Sequence, residues 1–276
     1  MPRVNGVSFH DDPGIESFCR TVRGTGFDSL ELSRAPFYDK LTTRGTREWF
    51  SEWAASLGLG LHGFDCWVNV SPYEKFDATI DSFKAAIEFT DDMNLGMIIS
   101  HDPWADDNGD RGPEECMTVN VDLFRRVMDM CAAKDIRLII EPHPDTLTMD
   151  NQWAIEFIDR VAEDHPPDPD APCNVGILYD CSHYGLGQPD TYVDSIATLG
   201  HRIGHFHICD GNKETYALHL PLGDGKIDLD GTISAMKNIN YNGPITNDLF
   251  TCPMPEEGAR RNLDRVREIE RELGLA

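Results

Sequence analysis

The stretch Arg-Leu-Ile-Ile-Glu-Pro-His-Pro at residues 137–144 is a short apolar run that ends in a carboxylate and a proline. A run of this length, bounded by a turn signal, predicts a buried strand that stops at Glu141. Two later stretches have the same form: Val-Gly-Ile-Leu-Tyr-Asp at 175–180 and Ile-Gly-His-Phe-His-Ile-Cys-Asp at 203–210. The chain therefore contains several buried strands that each end in polar residues.

Outward from these stretches, β-like runs alternate with longer helix-like stretches. The predicted strands are 4–9, 29–32, 59–64, 97–100, 137–141, 175–180, 203–208 and 244–248. Their spacing is close to the roughly 30 residues that one βα unit needs. Eight such units predict an α/β fold, a (β/α)8 TIM barrel, as a single domain over residues 1–276. A doubly wound open sheet is the alternative, but Phe-His-Asp-Asp-Pro-Gly at 9–14 is not its glycine-rich phosphate turn.

Proline marks the predicted helix starts. Asp12-Pro13, Ser71-Pro72 and Gly112-Pro113 each precede a helix-like stretch, and the last two predict helices over 73–93 and 114–134. The proline-rich segment 164–172 lies between a helix and a strand, so we interpret it as a loop and not as a domain boundary.

The composition is that of a globular protein with an unusually acidic surface. Of 276 residues, 40% are apolar and 26% are charged, which excludes a disordered or fibrous chain. Only 24 Lys and Arg oppose 48 Asp and Glu, giving a formal net charge of −24. Such a surface repels nucleic acid and anionic membranes, and it suits a host that lives in high salt. We expect a small-molecule partner, with no nucleic-acid or membrane partner.

The eight cysteines include no Cys-x-x-Cys pair, and the chain starts without an apolar leader. No apolar run approaches the roughly 20 residues of a membrane span. These features predict free, buried thiols and a cytoplasmic protein.

Polar residues end four consecutive predicted strands, in the order Glu141, Asp180, His207 and Asp248. The carboxyl ends of barrel strands face the active site. Three carboxylates that converge there would repel each other unless a cation lies between them. The sequence thus predicts a divalent-metal site with these four ligands. Hard oxygen donors with one imidazole favour Mn²⁺, while Mg²⁺, Co²⁺ and Zn²⁺ are also compatible.

Each proposed ligand has a plainer interpretation. Glu141 could be a loop carboxylate, Asp180 a helix N-cap and His207 a hydrogen-bonded core histidine. Asp248 is the least secure ligand. His205 lies one layer deeper on the same strand face and is predicted to be structural.

Further polar and aromatic residues follow the strand ends. His62, His101, His143 and Trp104 are candidate substrate-binding residues, although pocket wall, surface loop and ordinary packing remain alternatives for them. Trp67 has the same ambiguity, His183 is favoured as a pocket residue, and nothing beyond position distinguishes His219. The Gly-x-Gly segment 222–228 predicts a tight turn capped by Asp228 or Asp230.

Five motifs together resemble the xylose-isomerase-like TIM-barrel superfamily of sugar isomerases and epimerases, which also includes AP endonucleases. They are Gly-Phe-Asp-Ser-Leu-Glu-Leu (26–32), Ile-Ile-Glu-Pro-His-Pro, Tyr-Asp-x-Ser-His, His-Phe-His-Ile-Cys-Asp and Leu-Gly-x-Gly-x-Ile-Asp. The resemblance covers nearly the whole chain. It implies a metal held by Glu141, Asp180, His207 and the strand-eight acid, and a catalytic pair formed by Glu141 and Asp248. It also implies substrate contact by His183 and a homodimer or homotetramer.

The resulting functional hypothesis is a metal-dependent isomerase or epimerase that acts in carbohydrate metabolism on an unphosphorylated ketose or aldose. A carboxylate would move a proton through a metal-stabilised ene-diolate. The chain departs from the family pattern at Asp248, where the family mostly has Glu, and at Cys209, where many relatives have Lys. Because Lys213 is the one basic residue near the strand ends, we expect it to be the substrate-binding cation and disfavour a phosphorylated substrate.

Three alternatives remain open at this stage. A metal-dependent lyase or dehydratase could act on a cyclic polyol or keto-glycoside. An endonuclease IV-like tri-zinc nuclease would use His62 and His101 as additional ligands, although Ala217 replaces the Asp of its closing Asp-x-His motif. A sugar-binding barrel without catalysis is the third.

Overall fold

The computed structural model describes residues 5–8, 14–165, 174–215 and 217–274. Eight parallel strands close into a barrel, and two further short strands pair antiparallel with each other beside it. In chain order the ten strands are β1 (Asn5–Ser8), β2 (Ser29–Ser33), β3 (Gly60–Asp65), β4 (Met97–Ser100), β5 (Arg137–Ile140), β6 (Val175–Asp180), β7 (Ile203–Ile208), β8 (Asp210–Gly211), β9 (His219–Leu220) and β10 (Ile245–Asp248). The barrel runs from β1 to β7 and closes through β10, which confirms the predicted (β/α)8 fold.

Helices connect the strands on the outside of the barrel. They are α1 (Ile15–Thr25), α2 (Arg34–Phe37), α3 (Arg44–Ser56), α4 (Phe76–Asp92), α5 (Ala105–Asn108), α6 (Pro113–Ala132), α7 (Asn151–Val161), α8 (Cys181–Gly187), α9 (Tyr192–Leu199), α10 (Leu229–Asn238) and α11 (Pro255–Glu272). Short 3-10 helices occupy Leu147–Met149 and Gly200–Arg202. Proline opens α6 as predicted, whereas α4 starts three residues later than predicted. Asp12-Pro13 and most of the predicted 164–172 loop lie outside the described residues.

Two apolar layers flank the barrel strands. The inward layer is a small cluster of Met97, Ile99, Ile139 and Leu178. The outward residues pack against the helices, where the buried rings of Phe83, Phe124 and Phe157 form a row with centroids 5.7 and 5.4 Å apart. Because side chains alternate between the two faces of a strand, the inward positions that follow Ile139 and Leu178 are Glu141 and Asp180. The barrel interior therefore changes from apolar to acidic at its carboxyl end.

Seven cysteines are free and buried in the described part of the chain, and Cys173 lies outside it. Across the described residues, none of the helices combines the length and the apolar character that a membrane crossing requires.

The phenylalanine row predicts a large effect of truncation. Phe124→Ala should lower the free energy of unfolding by about 3–5 kcal/mol, because it removes the ring in contact with both neighbours and leaves a cavity. Urea unfolding followed by circular dichroism measures this. Met254→Ala is the control, since Met254 is 61% exposed, and its effect should stay below about 0.5 kcal/mol. Equal effects of the two substitutions would contradict this description of the core.

Candidate metal centre

Three of the predicted ligands converge at the carboxyl end of the barrel. Glu141 directly follows β5, Asp180 ends β6 and His207 lies near the end of β7, and all three are buried. One donor atom of each lies within 4.8 Å of the other two. Nδ1 of His207 is 3.3 Å from Oε1 of Glu141 and 3.6 Å from Oδ2 of Asp180. The three side chains thus point at one small volume.

Asp248, the fourth predicted ligand, is adjacent but is turned towards another partner. Its Oδ2 lies 3.8 Å from Nδ1 of His207 and 2.5 Å from Nδ1 of His219. It does not belong to the three-residue group of closely spaced donors within the described chain.

Asp180 caps a helix and also faces the candidate metal volume, whereas the sequence presented a helix cap and a metal ligand as alternatives. Its Oδ1 accepts hydrogen bonds from the backbone N–H groups of Ser182 and His183, at 2.8 and 2.9 Å, and so caps α8. Its Oδ2 faces His207. Burial alone would raise the pKa of Asp180, but the nearby imidazoles, chiefly His219 and His183, hold that pKa well below its ordinary value. The carboxylate is therefore ionised and is fixed in orientation.

These residues fit a divalent cation. Within the described residues, Nδ1 of the buried His207 has no hydrogen-bond partner, although carboxylate oxygens surround it at 3.3–3.8 Å. Two donors that share an ion at about 2.1 Å are themselves about 3.0–3.4 Å apart, so this spacing is close to that of a coordination shell. Without an ion, Nδ1 needs a proton to interact favourably with these carboxylates. Burial lowers the pKa of His207, but Glu31, Asp180 and Glu141 outweigh it and raise this pKa well above its ordinary value.

Glu31 in β2 is a buried acid to which the sequence analysis assigned no role. Its Oε1 accepts from Nε2 of His207 at 2.8 Å, and its Oε2 accepts from Nε2 of His205 at 2.7 Å and from Oγ1 of Thr246 at 2.8 Å. His62 completes this group, with its Nε2 at 3.1 Å from Thr246 Oγ1 and 3.4 Å from Glu31 Oε2. We call Glu31, His62, His205 and Thr246 the Glu31 cluster.

The Glu31 cluster includes His62, which the sequence predicts to be a substrate-binding residue. The structure places His62 in the interior layer of His205, because it precedes the end of β3 by three residues. Substrate binding by His62 stays a prediction. The signal that could have revealed Glu31 is its position between Leu30 and Leu32 in a short strand. A carboxylate within an apolar run is costly unless it has partners.

His219 is the second residue that sequence reasoning missed. It lies in β9, which pairs with β8. Strand β8 directly follows β7, the strand that carries His207. Its ring is buried, with Nδ1 near Asp248, Nε2 3.8 Å from Asp180 Oδ1, and a centroid 5.3 Å from that of His183. Burial lowers the pKa of His219, but Asp180 and Asp248 outweigh burial and raise it to about 9. No local sequence signal identifies it, since a hairpin formed by the two-residue strands β8 and β9 brings it into place.

The turn 222–228 is structural, as predicted. Oδ1 of Asp210 accepts from the N–H of Ile227 at 3.0 Å, and its Oδ2 accepts from the N–H of Gly223 at 2.9 Å. Asp228 then caps α10 by accepting from the N–H of Gly231 at 2.9 Å. The turn is thereby held against the β8–β9 hairpin that carries His219.

Rings of His101, Trp104 and His143 lie beside the metal centre. Their centroids are 4.8–5.7 Å apart. Nδ1 of His101 pairs with the carbonyl of Asp102 at 2.8 Å, and Nδ1 of His143 with the carbonyl of Glu141 at 3.1 Å. Each ring therefore donates from Nδ1. Burial, reinforced by His183 and His101, lowers the pKa of His143 well below its usual value, so His143 is neutral.

Lys213 and Trp67 have different surroundings, since only Trp67 contacts the rings of His101 and His143 among the contacts described. The structure places Lys213 against α9, where its Nζ donates to the Pro189 carbonyl at 3.4 Å and lies 4.2 Å from the ring centre of Tyr192. Its cation contacts Pro189 and Tyr192 there, and substrate binding by Lys213 stays a prediction. Trp67 contacts the His101 and His143 rings, with centroids at 6.0 and 6.1 Å, and has a backbone φ of 43°. Such a conformation is costly for a bulky residue and often occurs at functional sites.

Comparison with known proteins identifies the family of this chain. The model of the family described as xylose isomerase-like TIM barrel matches residues 19–269. An uncharacterized protein of Methanocaldococcus jannaschii is 22% identical over 172 residues, which cover 61% of this chain and 55% of that protein. The chain thus spans about half the length of that curated relative.

Solved structures share the fold over nearly their full length. The IolI protein with a bound zinc atom superposes with a TM-score of 0.79, at 16% identity, covering 96% of this chain and 98% of that one. D-psicose 3-epimerase with D-tagatose, from Clostridium cellulolyticum H10, gives 0.75 at 18% identity with the same coverage. The probable 3-DHS dehydratase AsbF of Bacillus anthracis gives 0.73 at 17%, again with 96% and 98% coverage.

The raised pKa of His219 predicts a pH dependence for the metal-free protein. Protonated His219 stabilises the fold fully below its unfolded pKa of about 6.5, and this contribution is lost as the pH rises through about 9. Since one pKa unit corresponds to about 1.4 kcal/mol, this shift of about 2.5 units sets an upper limit of about 3.5 kcal/mol on the loss. Urea unfolding in EDTA between pH 6 and 10 should show the decline, and His219→Gln should flatten it.

The matched control is His201→Gln, because His201 is exposed and far less constrained. This variant should keep the wild-type slope. A slope that His219→Gln leaves unchanged would show that another group titrates.

Proposed function

Because the chain belongs to the xylose isomerase-like TIM-barrel family, we propose that it is a divalent-metal-dependent isomerase or epimerase of an unphosphorylated sugar or polyol. The convergence of Glu141, Asp180 and His207 around the unpartnered Nδ1 carries this proposal. These three residues would hold the ion, with Asp248 as an outer or water-mediated fourth contact. When bound, the ion polarises neighbouring substrate oxygens and lowers the cost of removing the adjacent proton.

Glu141 is the proposed proton-transfer group. Its Oε1 lies 3.3 Å from Nδ1 of His207 and 3.7 Å from Nδ1 of His183, so its carboxylate borders both the metal volume and the His183 ring. Glu141 would take the proton from the carbon next to the carbonyl and return it to the neighbouring carbon, while a hydroxyl proton moves between the two oxygens. His183 is held by the Pro142 carbonyl at 3.3 Å from its Nδ1, and we assign it to a substrate oxygen.

The contact between Asp248 and His219 favours chemistry by one base. Epimerisation needs a second group that returns the proton to the opposite face. Asp248, the proposed second group, lies 2.5 Å from Nδ1 of His219 and has a shorter side chain than Glu. A displacement of about 1 Å can lower a rate about a hundredfold. Isomerisation, in which Glu141 returns the proton on the same face, is therefore our first choice.

The charges around the centre favour an uncharged substrate. The ion-pair partners of Glu141 and Asp180 are the imidazoles of His183, His207 and His219. A phosphate or carboxylate would meet these acids, whereas hydroxyl groups can bind the ion and the imidazoles.

Dehydration is the second candidate. The same single base can remove a proton and then pass it to a hydroxyl group on the next carbon, which leaves as water, so the Asp248–His219 contact is equally compatible with dehydration. The structural similarity to a probable dehydratase concerns the fold, and we extend it to function only as this alternative.

The proposal also covers the metal ion, the cellular location, the domain extent and the oligomeric state. Carboxylate oxygens with one imidazole favour Mn²⁺. Free cysteines are typical of the cytoplasm, where we place the protein. We also propose one domain over residues 1–276 and, from the family resemblance, a homodimer or homotetramer.

Solvent-proton exchange tests this function. Wild-type protein with Mn²⁺ in D₂O should incorporate deuterium beside the carbonyl of at least one ketose or inosose from a panel, measured by NMR. Glu141→Gln should lower the exchange rate by about 10²–10⁴-fold, because the amide cannot accept the proton. Glu156→Gln, on an exposed face of α7, is the matched control and should exchange normally. Dehydration would instead give an enone absorbance with release of water.

Full exchange by Glu141→Gln would exclude Glu141 as the base. Exchange that survives complete removal of the metal would contradict the role of the ion.

A further inference from the structure

Glu31 belongs to a motif that no step of the proposed reaction uses. The segment 26–32 contributes β2, and Glu31 is its buried acid, 1% exposed. In the closed barrel, β2 and β7 are separated by β1 and β10, so the contact of Glu31 with His207 crosses the interior. A buried carboxylate is retained at a cost, which its partners must offset.

The contacts of Glu31 divide between its two oxygens. Oε1 takes the hydrogen bond from Nε2 of His207, whereas Oε2 is anchored by His205 and Thr246. The carboxylate therefore has a defined orientation before any ligand arrives.

This orientation determines which ring nitrogen of His207 is available. A histidine that donates from Nε2 carries its lone pair on Nδ1 when it is neutral. Nδ1 is the atom that faces Glu141, Asp180 and Asp248 and lacks a hydrogen-bond partner within the described chain. A carboxylate behind a ligating histidine fixes its tautomer and raises its basicity.

We propose that Glu31 is a positioning residue that holds His207 in the Nε2-protonated, metal-binding form, with the rest of the Glu31 cluster keeping its carboxylate in place. This inference rests on the proposed function, because it assumes that His207 is a metal ligand. It assigns Glu31 no contact with substrate.

Metal affinity, measured separately from folding, tests the proposal. Glu31→Gln keeps the shape of the side chain but removes its charge and one of its acceptor oxygens. Calorimetric titration with Mn²⁺ should show binding weakened by about 10–100-fold relative to wild type. In the Zn²⁺-loaded wild type, ¹⁵N NMR should show the His207 proton on Nε2.

Asp102→Asn is the matched control, since it makes the same change in a fully buried carboxylate. The hydrogen bonds of Asp102 go to Thr148, from its N–H at 3.1 Å and its Oγ1 at 2.5 Å. This variant should lose stability in urea but keep the wild-type Mn²⁺ affinity. A purely structural Glu31 would behave in the same way, and that result would overturn the proposal.

Thr246→Val provides a second test if Glu31→Gln does not fold. It removes one anchor of Oε2 at a buried, nearly isosteric position and should weaken Mn²⁺ binding several-fold. Unchanged affinity in a folded Thr246→Val would overturn the positioning role. If the wild type itself binds no divalent ion, the proposed function fails; if it binds one and Glu31→Gln binds it equally, only the present inference fails.

Discussion

Negative charge buried at the carboxyl end of the barrel is the constraint on which the site depends. Glu141 and Asp180 point into one small volume, and the groups that pair with them are imidazoles. Carboxylates so close together raise each other's pKa unless a cation separates them. In the metal-free chain, protonated His207 and His219 supply that charge, since their pKa values are raised. A divalent ion would supply it more compactly and would release the protons.

The fold and much of this constraint could be predicted from the sequence. All eight barrel strands lie within one or two residues of their predicted positions, because each apolar run is bounded by turn signals. The convergence of Glu141, Asp180 and His207 followed from one rule, that barrel strands end on the same face. By contrast, Glu31 meets His207 across the barrel, and His219 arrives on a hairpin. Contacts between distant strands depend on which rotamers meet, and local sequence does not encode that.

Asp248 shows why identifying a residue is not the same as assigning its role. Its place at the end of β10 was predicted correctly, yet its Oδ2 is closer to His219 than to His207. The side chain of Asp248 is one methylene shorter than that of Glu, and the imidazole of His219 lies against its carboxylate. In the proposed reaction, both features would withdraw the second acid from the substrate and would favour isomerisation or elimination by Glu141. Substrate choice would then depend on the ring wall formed by His101, Trp104 and His143.

The position of the ion is the most direct test of this account. Crystals grown with Mn²⁺ and measured at its absorption edge should show one anomalous peak about 2.2 Å from Nδ1 of His207, bounded by oxygens of Glu141 and Asp180. Two further groups of three closely spaced donors lie among the described residues, Glu31–His62–His205 and Asp180–His183–His219. A peak at either of these groups would contradict this position of the ion. So would the absence of any peak at saturating Mn²⁺.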